Sequence, residues 1–122
     1  MTARIPFRFL CTLPLLVLAA GAQAAGALAG GVCGEYGTAY GYDHLRDARR
    51  TAMDRCDGYS CRVLVTIRGQ CAAFATDRSR SCGPRGWAYA PSRAEAQDLA
   101  VRYCQDNSGY DCRVRAWVCD DG

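Results

Sequence analysis

Apolar and polar positions along the chain change period several times. Gly37 to Tyr42 and Gly86 to Tyr89 are short runs of small and aromatic residues, read as strands. Between His44 and Asp57, Leu45, Ala48, Ala52 and Cys56 recur at three- and four-residue spacing, so one face of a helix is apolar while Arg46, Arg49, Arg50 and Arg55 lie elsewhere. A second helix starts at Ser92, where Glu95 three residues later completes a capping box. Its expected buried stripe is Ala96, Leu99, Ala100 and Tyr103. Arg62 to Arg68 and Arg113 to Val118 alternate with a period of two, which predicts half-buried strands with Val63, Val65 and Ile67 on one face and Leu64 and Thr66 on the other.

These elements occur twice. Gly58-Tyr59-Ser60-Cys61-Arg62-Val63 returns as Gly109-Tyr110-Asp111-Cys112-Arg113-Val114. Cys33-Gly34 matches Cys82-Gly83, and Gly37-Thr38-Ala39-Tyr40 matches Gly86-Trp87-Ala88-Tyr89. Ala48, Ala52 and Cys56 match Ala96, Ala100 and Cys104. Two copies are too few for a solenoid, so a pseudo-symmetric domain is expected over residues 33–122, with copies at 33–68 and 82–119. Cys71 to Thr76 is a further strand between the copies, and Asp77 to Arg85 a polar loop. The expected order is β-α-β-β-β-α-β: a small α+β domain whose mixed or antiparallel sheet carries both helices on one face.

The N-terminal segment changes the compartment and the charge. Arg4 and Arg8, the apolar run Phe9 to Ala20 and Ala22-Gln23-Ala24 have the layout of a secretory signal peptide over residues 1–24. Residues 25–32, small and Gly/Ala-rich, are then expected to be a flexible leader to the domain. All 15 basic residues are arginine, and two depart with the signal, leaving 13 against 12 acidic residues. That near-balance argues against a nucleic-acid partner, and no stable membrane anchor is expected after cleavage.

Of nine cysteines, Cys11 falls in the signal and eight remain, an even count that implies a disulfide framework in a periplasmic or secreted protein. Local spacing suggests Cys56–Cys61 and Cys104–Cys112, each clamping a helix end to the next strand. Cys56–Cys104 is a rival if the helices lie side by side. Cys33, Cys71, Cys82 and Cys119 are left unassigned. Spacings of C-x4-C and C-x7-C with a single histidine do not suit zinc, and neither a metal nor a cofactor is expected.

No catalytic motif stands out. His44, the sole histidine, matches Ser92 of the second copy and reads as a helix-cap or surface residue. No nucleophile elbow, Walker loop or H-E-x-x-H helix accompanies it. The chain is therefore expected not to be an enzyme, with a small secreted enzyme using His44 the least favoured alternative. Tyr40, Tyr42, Trp87, Tyr89 and Trp117 lie on expected strands, and their first reading is core filling. The competing reading is a patch of Arg78, Arg80 and Arg85 with Trp87, Tyr89 and Tyr40, a composition typical of protein-interface hot spots. It points to a protein partner and an exported binding module, such as an inhibitor or immunity-type protein. The alternative is a secreted effector or surface factor acting on a host or competitor.

Gly37 to Tyr40, the Ala-rich helix ending at Cys56, Cys61 to Val65, Gln70 to Ala75, Gly86 to Tyr89, Ala94 to Ala96, Cys104 and Cys112 to Cys119 occur in the order of a bacterial secreted family known as domain of unknown function 4189, which the chain resembles over nearly all of its mature length. The resemblance implies an exported bacterial protein and carries over no active-site residues. Cys33 and Cys82 look additional to the pattern expected of that family.

Overall fold

A computed structural model describes residues 23–120 and the isolated positions 3, 12 and 14. The expected signal peptide lies almost wholly outside the described residues. The elements are β1 (Ala25–Gly30), β2 (Tyr36–Tyr42), α1 (Leu45–Arg55), β3 (Arg62–Arg68), β4 (Cys71–Asp77), β5 (Arg85–Ala90), α2 (Arg93–Asp106) and β6 (Cys112–Cys119). They form two antiparallel three-stranded sheets, ordered β2-β1-β3 and β5-β4-β6.

The segment expected to be a flexible leader is instead the central strand of the first sheet. Every residue of β1 is buried. Ala25, Ala27 and Ala29 pack against Ala48 and Ala52 of α1, while Leu28 packs with Val65, Ile67, Phe74 and Val118 between the sheets. A strand covered on both faces by close neighbours needs small side chains, not alternation, and Ala-Gly-Ala-Leu-Ala-Gly supplies them. The copies therefore extend beyond 33–68 and 82–119. Each is β-β-α-β, and Cys71 to Asp77 is the counterpart of β1, not an insertion between copies.

This also corrects the placement of the helices. Three apolar clusters stack in order: α1 on the first sheet, sheet on sheet, and α2 on the second sheet. The helices occupy opposite outer faces of two sheets and do not share one face of a single sheet. A Cys56–Cys104 bridge is thereby excluded.

Close approach of helix to sheet rests on two equivalent glycines. A Cβ on Gly37 would overlap the backbone of Ala52 and Cys56 at the end of α1, and one on Gly86 would overlap that of Ala100 and Cys104 in α2. Alanines at the contact positions complete the fit: Ala48, Ala52, Ala96 and Ala100 are fully buried. Cys104, not Tyr103, completes the α2 stripe; Tyr103 is exposed. The capping box is confirmed at its N-cap, where the Ser92 hydroxyl accepts the Glu95 N–H at 3.3 Å.

The four bridges are Cys56–Cys61, Cys104–Cys112, Cys71–Cys119 and Cys33–Cys82. The two expected from spacing are present, each with a Cα separation of 6.0 Å. Cys71–Cys119 ties neighbouring strands β4 and β6 at a directly paired position. Cys33–Cys82 joins equivalent positions of the two copies.

Candidate functional site

With both helix–sheet cores built mainly from alanine, most large rings have no place beneath the helices. Tyr40 and Tyr89, equivalent in the two copies, are 67% and 60% exposed, and Trp117 is 42% exposed. Of the five strand aromatics singled out from the sequence, only Trp87, packed against the inter-sheet cluster around the fully buried Phe74, and Tyr42, packed under α1, are partly inside. Core filling by aromatics, the first reading of the sequence, fails for the exposed rings because small side chains already bring the layers into contact.

The expected patch divides among three places. Trp87 and Tyr89 line a cleft of about 910 Å³ between the free edges of β3 and β5, with Leu64, Val65, Thr66, Gln70 and Tyr103. Tyr40 lies across the molecule, in a groove of about 310 Å³ between the edges of β2 and β6 with Trp117. The two depressions are counterparts in the duplicated fold: Thr38 and Tyr40 hold the places of Trp87 and Tyr89. Arg78 and Arg80 line a third depression of about 280 Å³ beside Cys33, Cys82 and Arg115. Arg85 borders this depression and also reaches Trp87. The loop and the tryptophan thus meet only at Arg85, and Tyr40 stands apart.

The cleft is the better-built recognition surface. Arg62 lies over the Trp87 ring at 5.3 Å and Arg85 at 5.5 Å. Both guanidinium groups are held by one ring face or edge, an arrangement that keeps cations rigid while leaving their donors free. Burial pushes the Arg85 pKa down, the Arg62 charge pushes the same way, and Glu35 opposes both. Neither Arg62 nor Arg85 forms an ion pair among the described residues. β3 and β5 both end their sheets here, so backbone N–H and C=O groups on their outer edges have no strand beside them. The cleft thus offers main-chain hydrogen bonding along its length, and its Trp87 ring carries Arg62 and Arg85 beside it. Trp117 has its own arginine, Arg93 at 3.7 Å, but no second one among the described residues.

In the Arg-lined depression the Asp77 carboxylate is already engaged. It accepts from the Ser79 hydroxyl and from the N–H groups of Ser79 at 2.8 Å, Tyr110 at 3.0 Å and Asp111 at 3.4 Å. These bonds, the Ser79 hydroxyl first and the Tyr110 N–H next, hold its pKa far below the usual carboxylate range against the opposing effect of burial. Arg80 approaches it at 3.5 Å and donates to the Ser108 carbonyl at 2.9 Å. Arg115 donates to the Gly34 carbonyl at 3.1 Å and lies 5.5 Å from the Tyr36 ring.

His44 is the N-cap of α1, exposed and without a capping hydrogen bond from its side chain. Among the described residues no cluster of His, Cys, Asp and Glu is arranged to hold a metal ion, and Cys33, Cys56, Cys61, Cys71, Cys82, Cys104, Cys112 and Cys119 are all in disulfides.

Sequence reasoning missed Arg62, Leu64 and Arg115. The signal for Arg62 was available, since it follows Cys61 as Arg113 follows Cys112, but nothing in the sequence brings β3 beside β5.

Four disulfides suit an extracellular or periplasmic protein, and no described helix is long and apolar enough to cross a membrane. No curated protein and no solved structure matches the chain. One family model does, over residues 25–119, from the first residue of β1 to the last of β6, and the chain belongs to that family, Domain of unknown function (DUF4189).

Proposed function

We propose that this chain is an exported, non-enzymatic protein-binding module that receives an extended acidic segment of a partner protein in the cleft between β3 and β5. An inhibitor or immunity-type protein of the bacterial envelope is the concrete form of this reading. The observation that carries it is the pair Arg62 and Arg85 against the ring of Trp87, which lines the cleft between two free strand edges. Strand addition supplies affinity through main-chain hydrogen bonds, while side-chain pockets supply selectivity. Here the two cations favour a carboxylate beside the ring, and the Trp87 face favours an apolar neighbour. A stapled scaffold lowers the ordering cost of binding.

The test is affinity capture on the tagged protein lacking residues 1–24, from envelope and medium separately, repeated with Trp87→Ala and with Arg62→Ala/Arg85→Ala. A stoichiometric partner should weaken about thirtyfold with Trp87→Ala, as for a hot-spot tryptophan costing about 2 kcal/mol. A partner whose affinity is unmoved by both variants, while both remain folded, refutes the assignment of the cleft.

A further inference from the structure

We propose that the Cys33–Cys82 bridge is a thiol-exchange site for small thiols that carry carboxylates, the glutathione class. The bridge shares Arg85 with the cleft, but its role does not rest on the function proposed there.

The bridge differs from the other three in exposure. Cys33 and Cys82 are both exposed. Each of the others has a buried member: Cys56 at 7%, Cys71 at 1%, and Cys104 and Cys112 at 0% and 7%. An attacking thiolate must reach a sulfur, so access alone separates this bridge from the rest. Its surroundings select the attacker. Arg78, Arg80, Arg85 and Arg115 line the same depression as the two cysteines. Of the two nearby acids, Asp77 is engaged by Ser79, Tyr110, Asp111 and Arg80, and Glu35 accepts the Cys33 N–H at 3.2 Å. The Arg78 side chain makes no hydrogen bond or ion pair among the described residues. A cationic depression concentrates anionic thiols and stabilises a departing thiolate.

The backbone adds a reason to open. Cys82 has φ 56°, the left-handed region that costs an L-residue free energy unless its surroundings hold it there. Cys82 also shares its loop with Arg78 and Arg80, which makes its sulfur the better leaving group. The incoming thiolate therefore bonds to Sγ of Cys33. The Cys33–Cys82 bond breaks, and its electron pair leaves on Sγ of Cys82 as a thiolate. One disulfide replaces another, with no net oxidation or reduction. A second thiol then releases the adduct as a symmetrical small-molecule disulfide and leaves two free cysteines.

The consequence follows from connectivity. Cys56–Cys61 lies within the first copy, and Cys71–Cys119 and Cys104–Cys112 lie within the second. Cys33–Cys82 is the one described bridge that joins the copies, so exchange there removes the covalent tie between halves still packed through the inter-sheet core, without unstapling either.

The experiment exposes the folded protein lacking residues 1–24 to reduced glutathione, 2-mercaptoethanol or cysteamine at matched thiolate concentration. Free cysteines are alkylated over time and mapped by mass spectrometry. The expected result is first glutathione on Cys33 with alkylation on Cys82, later alkylation on both, and three intact bridges throughout. Glutathione should react about tenfold or more faster than cysteamine, at the low end of what charged clefts gain, and the advantage should shrink as salt is raised. Arg78→Ser should reduce the preference; the salt series on the unmodified sequence provides the same test without a variant. Equal rates for the three thiols at low salt, simultaneous opening of all four bridges, or an adduct on Cys82 would overturn the proposal.

Discussion

Leu64 and Arg115 are the same residue of the duplicated fold, the bulged position of an edge strand, turned to different uses. In β3 the register passes from Val65 opposite Leu28 to Val63 opposite Ala29, and Leu64 is left over. In β6 it passes from Ala116 opposite Phe74 to Val114 opposite Ala75, and Arg115 is left over. A bulge re-aims the side chain it carries. Leu64 enters the cleft beside Trp87, whereas Arg115 enters the depression beside Cys33 and Cys82. Leu64→Ala should therefore cost about 1–2 kcal/mol in denaturant unfolding, less than a fully buried leucine, because this residue is only partly buried. Arg115→Ala should cost about 1 kcal/mol, through its hydrogen bond to Gly34.

The helix–sheet contacts make a sharper prediction. Gly37→Ala or Gly86→Ala puts a methyl group into helix backbone that has no free rotor to move aside. Each should cost about 3 kcal/mol. Gly41 is the internal control: a Cβ there meets nothing within 4 Å, but its φ is +79°. Gly41→Ala should cost about 1–2 kcal/mol from backbone conformation alone. Chemical denaturation of the three variants checks the ranking, and equal losses would show that close approach is not the reason for the strand glycines.

The legibility of the fold in the sequence followed the physics of each element. The helices were readable because Ala48, Ala52 and Cys56, and Ala96, Ala100 and Cys104, hold strict spacing, and the Ser92 cap had its own signature. Cys56–Cys61 and Cys104–Cys112 were readable because both partners are local. β1 was not, since a strand buried on both faces by alanines and glycines lacks both alternation and β-branched residues. Missing it hid the second sheet, and with it the cleft between β3 and β5. Val63 and Leu64 were assigned to faces by strict alternation, which a bulge breaks. The paired cysteines at Cys33 and Cys82 are far apart in sequence and meet only through the duplication.

Removing bridges should follow loop length. Cys71–Cys119 spans 48 residues and Cys56–Cys61 only 5. On a chain-entropy account the first contributes about 4 kcal/mol and the second about 2. Paired Cys→Ala variants, compared by thermal unfolding, should rank in that order. The gap should widen slightly because Cys71 is 1% exposed and its truncation also leaves space in the α2 core.

Acid should act through Asp77. Its carboxylate ties the end of β4 to the start of β6 by accepting from Tyr110 and Asp111, and its pKa lies far below the ordinary 3.8. A group whose pKa falls on folding binds fewer protons in the native state than in the unfolded one. Its contribution is therefore complete above the unfolded value of 3.8 and drains away as pH falls through and below it. Asp77→Asn preserves shape and one acceptor but removes the charge that the surrounding donors favour. This variant should be less stable than the parent at pH 7, and the difference should shrink as pH falls below about 4. Unfolding curves at pH 7, 5, 4 and 3 measure this directly. A pH-independent difference would mean that the asparagine perturbs packing and that the ionised carboxylate is not what holds the α2–β6 loop to β4.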